Sequence, residues 1–238
     1  MKIKFFTIPN LLTLGNLLCG SCAAIVLLTS GDFTTAFWLV VAAAVCDFFD
    51  GFAARLLGSA SPIGLQLDSL ADMVSFGLAP ALALFCMYDA APQRFDFSDA
   101  VTDAAQYVTL IVAAFSALRL AKFNIDDTQH TEFCGLPSPA NGLLCLSLGM
   151  LAQDGCLPLT KVAVIAVAVA TAYLLISPIR MFALKFKGFG WHGNELRYSF
   201  IAFAAVTAAV FTRYAVPTVI LMYIIVSTVR WAFGLRKA

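Results

Sequence analysis

Four aspartates lie in segments that are otherwise apolar, Asp47 with Asp50 and Asp68 with Asp72. Residues three or four apart share one face of a helix, so each pair projects from a single face. Ionised carboxylates in or near a membrane are costly and are usually functional. Four together cannot all stay ionised without counter-charge, and Arg55 can compensate only one. All-carboxylate oxygen sites suit Mg²⁺, Mn²⁺ or Ca²⁺, so the pattern predicts a divalent metal site with room for two ions.

A carboxylate site with two divalent metals is typical of phosphoryl-type transfer. Bound metals neutralise the phosphate oxygens and the leaving group, while a carboxylate takes the proton of an attacking hydroxyl. Gly51 and Gly64, beside the acids, would let a bulky diphosphate approach the helix backbone, and Arg55 would bind phosphate through its forked guanidinium. A metal or proton transporter is the alternative, because carboxylates also line ion routes. The acids stop near one side of the predicted membrane, which favours an enzyme.

The elements that position these residues are predicted to be membrane-spanning helices. The chain of 238 residues is 61% hydrophobic and 12% charged, whereas soluble domains carry about 25% charged residues. Uncharged stretches cover 5–31, 133–153 and 162–179, and a spanning helix needs ~20 mostly apolar residues. These stretches lack the alternation of barrel strands. We therefore predict an all-α fold, a polytopic integral membrane helical bundle with about eight transmembrane helices.

The eight predicted helices form a single membrane-embedded domain over residues 1–238. Their bounds are 9–30, 34–57, 64–88, 104–123, 139–154, 160–183, 196–213 and 215–234. The turn at 57–62 makes the second and third helices antiparallel neighbours. All four carboxylates are therefore expected to converge near one end of two packed helices.

The distribution of charge predicts which way the bundle faces. With the N-terminus inside, twelve of the fifteen basic residues fall on the cytosolic side, as the positive-inside rule requires. We therefore expect a multi-pass protein of the cytoplasmic membrane whose aspartates face the cytosol. The net charge of +1 gives no indication of a nucleic-acid partner. Most of the seven cysteines fall inside predicted spans, which indicates packing residues rather than a disulfide framework.

The spacing of the acids and their neighbours resembles the signature of the CDP-alcohol phosphatidyltransferase family at every specified position. The matching string is Asp47-x-x-Asp50-Gly51-x-x-Ala54-Arg55, eight residues, then Gly64-x-x-x-Asp68-x-x-x-Asp72. The resemblance implies that the four aspartates bind two Mg²⁺ or Mn²⁺ ions and that Asp72 is also the general base. It further implies a CDP-binding site that includes Asp50, Gly51, Arg55, Gly64 and Asp68.

Further stretches are similar to the membrane-embedded phosphatidylserine synthases of that family. They cover 9–20, 72–81, 118–124 and 133–140. This similarity implies transfer of a phosphatidyl group from CDP-diacylglycerol to L-serine with release of CMP, and it suggests a homodimer. The alternative that keeps the same chemistry is transfer to another acceptor, such as glycerol 3-phosphate or inositol phosphate. The few basic residues near the acids favour an uncharged or zwitterionic alcohol.

Five further polar residues are candidates for the site. Thr13 and Asn16 are either bonded to a neighbouring helix or turned toward the nucleotide, where they would join the CDP-binding residues. Ser75 shares a face with Asp72 and would orient the base or contact serine. Arg119 and Arg180 would bind the acceptor carboxylate or a lipid phosphate, although cations at helix ends also anchor a chain at the membrane surface.

Overall fold

The computed structural model describes residues 5–93, 98–126, 132–182, 190–191 and 194–234. Within these ranges the chain forms eight continuous helices and one two-stranded sheet. In chain order they are α1 (Ile8–Ser30), α2 (Phe33–Leu56), α3 (Pro62–Ala90), α4 (Asp99–Ile125), β1 (Glu132–Cys134), α5 (Ser138–Gln153), α6 (Lys161–Ile176), β2 (Arg180–Phe182), α7 (Glu195–Phe211) and α8 (Ala215–Ala232). The predicted all-α bundle and its eight helices are confirmed.

Five of these helices, α1 to α4 and α8, are long and apolar enough to cross a membrane. The remaining three are shorter, with 16 residues in α5, 16 in α6 and 17 in α7. Their length falls below the ~20 residues of a typical span. The five long helices indicate a multi-pass membrane protein.

The first three helices begin at residues that satisfy their free backbone N–H groups. Thr7 caps α1 by accepting from Asn10 N, and Asp32 caps α2 by accepting from Thr35 N. Ser61 caps α3 by accepting from Gly64 N, and Pro62 follows at the first helical position, where its fixed φ suits the helix. These caps set the point at which α3 starts, and hence the depth of its two aspartates.

Helix α3 changes its winding directly after Asp72. Residues Met73–Leu78 form a π-helical segment between two α-helical stretches. Segments of this kind insert an extra residue into a helix and often occur at functional sites. The sequence pattern did not predict this segment.

The backbones of α1 and α3 approach closely beside the π-helical segment. A Cβ atom placed on Gly20 would lie 2.6 Å from Ser75 Cα. Ordinary side chains do not tolerate that distance, so only glycine allows this contact. Helix α1 is thereby held against the part of α3 that carries Asp72.

Helix α1 is the common support of α2 and α3. It packs along α2 and along both halves of α3, whereas α2 and Pro62–Asp72 make few backbone contacts with each other. The two aspartate-bearing helices are neighbours whose carboxylates meet, as predicted, but their backbones are joined mainly through α1. Their short connection does place them side by side, but α1 fills the position between their inner faces.

The predicted sixth helix, 160–183, is too long. Helix α6 ends at Ile176, and Ser177 is extended with ψ of 151°. Pro178 follows, and the residue before a proline is disfavoured in the helical region. Residues Arg180–Phe182 instead pair with β1 in an antiparallel sheet, with Arg180 opposite Cys134.

The helices alternate in direction, so the bundle has two distinct ends. We call the end that holds the α2–α3 turn, the start of α1 and the start of α5 the aspartate end. The opposite end brings together Gly31, Phe33, Ala91, Gln153 and Leu159 around a second cleft. A core of buried apolar side chains, among them Leu27, Val40, Phe76 and Leu84, lies between the two ends.

Candidate active site

Three carboxylates converge at the aspartate end, from the last turns of α2 and the second turn of α3. Asp47, Asp50 and Asp68 each offer an oxygen, and these oxygens lie within 4.8 Å of one another. Asp50 is buried, and the other two are half-buried. Such a cluster can hold a metal ion. The sequence predicts that four carboxylates converge, and three of them form this cluster.

The donor set of this cluster fits a divalent metal. Asp68 Oδ1 is buried, and no described residue forms a hydrogen bond with it. A buried carboxylate oxygen without a partner is costly. The available ligands are all carboxylate oxygens, which suit hard cations such as Mg²⁺ and Mn²⁺.

Asp72 lies one turn beyond Asp68 and has different surroundings. Its Oδ1 accepts a hydrogen bond from Asn16 Nδ2 at 3.0 Å. It is not among the three residues whose oxygens approach within 4.8 Å, and it lies within electrostatic range of Arg119. Asp72 is therefore held by the Asn16 amide and lies within electrostatic range of both Asp68 and Arg119.

Helix α1 contributes two polar side chains that hold aspartates of its neighbours. Thr13 Oγ1 donates to Asp50 Oδ2 at 2.6 Å, and Asn16 holds Asp72. Both side chains are buried, with 3% and 0% of their surface exposed. The sequence left open whether Thr13 and Asn16 bond to a neighbouring helix or face the nucleotide. In the structure both bond to aspartates of neighbouring helices. Thr13 also lines the cleft described next.

An open cleft of about 230 Å³ lies at the aspartate end between α1, α2 and α3. Its lining consists of Pro9, Asn10, Thr13, Asp50, Gly51, Ala54, Arg55, Ser59, Ala60, Ser61, Gly64, Leu65 and Asp68. Six of the seven residues predicted to bind CDP are in this set. The seventh, Asn16, lies apart from the lining and beside Asp72.

Sequence reasoning missed part of the cleft wall. Asn10, Ser59 and Ser61 line it, and a Cβ on Gly64 would lie 3.2 Å from both Asn10 Oδ1 and Ser61 Oγ. Glycine thus lets the α2–α3 turn and the start of α1 close around the cleft. The small polar residues between two apolar spans were the signal that could have identified this wall.

Arg55 lies at the mouth of the cleft. Its side chain is exposed, and its Nη1 would lie 3.5 Å from a Cβ on Gly51, so the guanidinium extends past that glycine. Among the described residues, none forms an ion pair or hydrogen bond with the Arg55 guanidinium. Its forked N–H groups are therefore free to meet a phosphate.

Arg119 is buried inside the bundle. Only 8% of its surface is exposed, and Nη1 donates to Ser138 Oγ at 2.9 Å. Ser116 donates to the same Ser138 oxygen at 3.2 Å. Arg119 therefore joins α4 to the start of α5 within electrostatic range of Asp72, a position unlike that of a surface anchor.

The last two predicted residues lie in contrasting places. Ser75 is fully buried, and its hydroxyl donates to the backbone oxygen of Asn16 at 2.9 Å. Its hydroxyl thus ties α3 to α1 just behind the Asn16–Asp72 pair. Arg180 is half-buried in β2, and its side chain forms no hydrogen bond or ion pair with the residues that the structure describes. The site geometry does not bring it to the aspartates.

Comparison with known proteins agrees with this geometry. The profile of the CDP-alcohol phosphatidyltransferase family matches residues 6–186, a range that includes every residue lining the cleft. A CDP-diacylglycerol–serine O-phosphatidyltransferase of Helicobacter pylori is 30% identical over 241 residues, which covers 98% of this chain and 94% of the relative.

Two further relatives carry the same name. The Bacillus subtilis protein is 32% identical over 191 residues, covering 79% of this chain and 94% of the relative. The Methanocaldococcus jannaschii protein is 34% identical over 148 residues, covering 62% of this chain and 63% of the relative. With the converging carboxylates, the cleft beside them and the family match over most of its length, this chain belongs to the CDP-alcohol phosphatidyltransferase family.

Proposed function

We propose that this protein transfers the phosphatidyl group of CDP-diacylglycerol to the hydroxyl of L-serine, giving phosphatidylserine and CMP. The observation that carries the proposal is the convergence of three carboxylates beside a cleft at one end of an apolar bundle. Two relatives named CDP-diacylglycerol–serine O-phosphatidyltransferase align with most of the chain, and they support serine as the acceptor.

Asp47, Asp50 and Asp68 are the proposed ligands of two Mg²⁺ or Mn²⁺ ions, with Asp72 completing the set. When bound, such ions neutralise phosphate oxygens and the departing CMP. Thr13 holds the Asp50 carboxylate in one orientation through its hydrogen bond. The free Oδ1 of Asp68 remains available as a ligand atom.

Asp72 is the proposed general base. The hydrogen bond from Asn16 to Oδ1 fixes the carboxylate and leaves Oδ2 to accept the proton of the serine hydroxyl. The serine oxygen then forms a bond to the phosphorus that carries diacylglycerol, and the bond from that phosphorus to the CMP oxygen breaks. Ser75 supports this arrangement through its bond to the Asn16 backbone.

The cleft is the proposed site of the CDP group. Gly51 and Gly64 add no side chain to the cleft wall. Arg55 offers at the mouth a guanidinium that no described residue pairs. Arg119, which lies within electrostatic range of Asp72, is the proposed partner of the serine carboxylate. Arg180 would meet lipid phosphate at the rim, because β2 lies at the same end of the bundle.

The aspartate end is proposed to face the cytosol in the cytoplasmic membrane. The excess of basic residues assigned to this side supports that orientation. The acyl chains of the donor would enter the cleft sideways from the inner leaflet, since a lipid tail does not leave the bilayer. A homodimer is proposed from the family resemblance.

The test is release of CMP by the purified protein in detergent. The protein would be incubated with CDP-diacylglycerol and Mn²⁺ or Mg²⁺, with L-serine, glycerol 3-phosphate, inositol phosphate or no acceptor. We expect CMP release that requires both metal and L-serine. Release with another acceptor instead would refute serine as the substrate, and no release by folded, lipid-replete protein would refute the transferase.

A further inference from the structure

The π-helical segment Met73–Leu78 of α3 ends two residues before a buried proline, Pro80. A proline inside a helix has no N–H to donate, and in an α-helix its ring clashes with the carbonyl four residues earlier, here that of Phe76. Spanning helices accommodate proline by local changes of winding, π-helical turns among them. In this segment Ala79 N bonds to Val74 O, five residues earlier instead of four. Pro80 therefore accounts for the widened turn and for its position.

The widened turn changes how the two halves of α3 are rotated relative to each other. We call Pro62–Asp72 the aspartate half and Ala79–Ala90 the core half. One residue of an α-helix turns the chain by about 100°, and the segment between the halves inserts one residue. The aspartate half is therefore turned by about 100° from the direction that an uninterrupted α-helix would give it.

The rotation of the core half is fixed by its packing. Ala79, Ala83 and Leu84 are fully buried, and the core half packs on α1, α5 and α6. Turning it would expose these side chains and displace three neighbouring helices. The inserted residue therefore acts on the aspartate half, which carries Asp68 and Asp72.

Neighbouring helices also hold the π-helical segment itself at close range. In addition to the contact at Gly20 of α1, a Cβ placed on Gly142 of α5 would lie 3.5 Å from Phe76 Cα. A Cβ placed on Gly77 of the segment would lie 3.1 Å from Ser116 Oγ on α4. The segment is thus enclosed by α1, α4 and α5, which leaves the direction of the chain fixed where Asp72 precedes it.

Asn16 of α1 contacts α3 on both sides of the point where the winding changes. Its Nδ2 donates to Asp72 Oδ1 in the aspartate half at 3.0 Å. Its backbone oxygen accepts from Ser75 Oγ in the segment at 2.9 Å. A rotation of the aspartate half would break the bond to Asp72 and leave the bond to Ser75 in place. The Asn16–Asp72 bond therefore depends on the widened turn.

We propose that Pro80 is a positioning residue for the transfer reaction, because the widened turn that it imposes sets the rotation of the aspartate half and directs Asp72 toward Asn16. This inference rests on the proposed function, in which Asp72 is the base. The whole π-helical segment lies between Pro80 and Asp72, so Pro80 acts through the backbone. The residue that orients the base thus lies outside the aspartate signature.

The experiment begins with Pro80→Ala, which restores the N–H and removes the ring, so α3 can wind as an uninterrupted α-helix. We expect kcat/KM for CDP-diacylglycerol to fall roughly 10²-fold, the effect of misplacing a reacting group by about 1 Å. The melting temperature should not fall, because alanine favours a helix interior more than proline does. Pro217→Ala is the matched control. Pro217 is also buried but lies in the first turn of α8, where its N–H would have no helical partner.

A second variant tests whether rotation is the cause. Deleting Val74 from the Pro80→Ala protein removes the inserted residue, so plain α-helical winding would join the two halves in the rotation of the parent. We expect this double variant to recover most of the parent kcat/KM. A loss of stability alone would not be repaired by removing a further residue.

Spin labels measure the rotation without the reaction. Leu18 on α1 and Leu70 on the aspartate half are 65% and 64% exposed, so both can be replaced by labelled cysteines in a cysteine-free protein. The surface of a helix 10–12 Å across moves by about 8 Å when it turns by 100°. The distance between the labels should therefore change by several ångström in Pro80→Ala and return in the double variant.

The outcomes separate this inference from the proposed function. If Pro80→Ala keeps the activity and the label distance of the parent, the positioning role is refuted while the proposed function stands. Lost activity with an unchanged distance, or activity that the Val74 deletion does not restore, also refutes it. If the parent releases no CMP, the proposed function fails, and the label distances still decide whether Pro80 sets the rotation.

Discussion

Asp72 has a hydrogen-bond environment that sets it apart from Asp47, Asp50 and Asp68. The other three approach one another, as metal ligands do, whereas Asp72 is held by Asn16 and lies within electrostatic range of Arg119. A base needs one fixed oxygen and one free oxygen near the attacking hydroxyl. This difference supports the proposal that Asp72 is the base, a role that it would combine with completing the set of metal ligands.

Replacing Asp72 with asparagine tests its role as the base. Asp72→Asn keeps the side-chain volume but cannot accept a proton, so kcat should fall by roughly 10²–10⁴-fold. Binding of CDP-diacylglycerol, measured by its effect on the melting temperature, should persist. Asp154→Asn, at the opposite end, is the control and should keep the parent rate. Full turnover by Asp72→Asn would exclude it as the base.

Thr13 allows a test of how the metal ligands are oriented. Thr13→Val removes the hydrogen bond to Asp50 and preserves the shape of the side chain. Loss of such a supporting bond typically weakens metal affinity or activity by about 10–100-fold. We expect a higher Mn²⁺ concentration for half-maximal CMP release.

The matched control for Thr13 is Thr171→Val. Thr171 is also buried, but its hydroxyl bonds to the backbone of its own helix at Val167 O. Its Mn²⁺ dependence should equal that of the parent. Equal Mn²⁺ dependence of Thr13→Val and the parent would show that Thr13 does not orient a ligand.

At the scale of elements, α1 decides the geometry of the site although it carries none of the four aspartates. It supplies Thr13 to α2 and Asn16 to α3, and Ser75 of α3 bonds back to its backbone. The close approach at Gly20 holds these contacts in register. A change that separates α1 from α3 should therefore disturb Asp72, the proposed base, before it disturbs Asp47 and Asp50, the proposed metal ligands on α2.

Gly20→Ala is the substitution that forces this separation. Its Cβ would lie 2.6 Å from Ser75 Cα, so the backbones must move apart. Overpacking of this kind costs about 1–3 kcal/mol, and we expect a lower melting temperature together with reduced kcat. Gly15→Ala is the control on the same helix, because its Cβ would meet Cys46 Sγ at an ordinary 3.5 Å. If Gly20→Ala were as stable and active as Gly15→Ala, the close contact would have no role.

The cap of α2 provides a prediction about pH at the opposite end. Hydrogen bonds from the Thr35 side chain and backbone hold the pKa of Asp32 below its usual value. A lowered folded-state pKa adds stability above the unfolded pKa of about 3.9, and that stability is lost as the pH falls through the folded value. Asp32→Ala should therefore lower the melting temperature at pH 7, and its difference from the parent should shrink below about pH 4. A difference that does not vary with pH would exclude the charged cap.

At the scale of the whole molecule, chemistry and packing occupy different regions. The apolar core lies between the two ends, and the carboxylates, the cleft and Arg119 lie at one of them. A transporter would need polar groups that continue across the bundle. Instead the large buried side chains Leu27, Val40, Phe76 and Leu84 fill the middle. This one-sided arrangement suits a reaction between a lipid in one leaflet and a water-soluble acceptor.

Cysteine labelling tests which end faces the cytosol. Cys156 is exposed at the opposite end, in the turn after α5. In a variant that keeps only this cysteine, a membrane-impermeant maleimide should label intact spheroplasts. A cysteine-free variant with Ala60→Cys, at an exposed position of the aspartate end, should react only after the membrane is permeabilised. The reverse pattern would refute the proposed orientation.

The sequence by itself determined the helical membrane fold, the order of eight helices and the four aspartates with their glycines. Hydropathy and helical spacing are local properties, and a transmembrane segment must satisfy its backbone within itself. The end of α6 was predicted too late, because the apolar pattern continues to Ile179 although Pro178 prevents the helix from continuing. Five of the six predicted CDP-binding residues that line the cleft belong to the signature, which itself spans the turn between two antiparallel helices, and the sixth, Thr13, comes from α1.

Only the tertiary structure decided what these residues contact. Whether Thr13 and Asn16 face a nucleotide or a neighbouring acid depends on how α1 is rotated between α2 and α3. The burial of Arg119 against Ser138 arises where α4 meets the start of α5, and the surroundings of Asn141 and Ser227 depend on how α8 packs on α5. These residues are far apart along the chain and carry no shared spacing. Their meeting follows from side-chain packing between helices, which hydropathy along one chain does not encode.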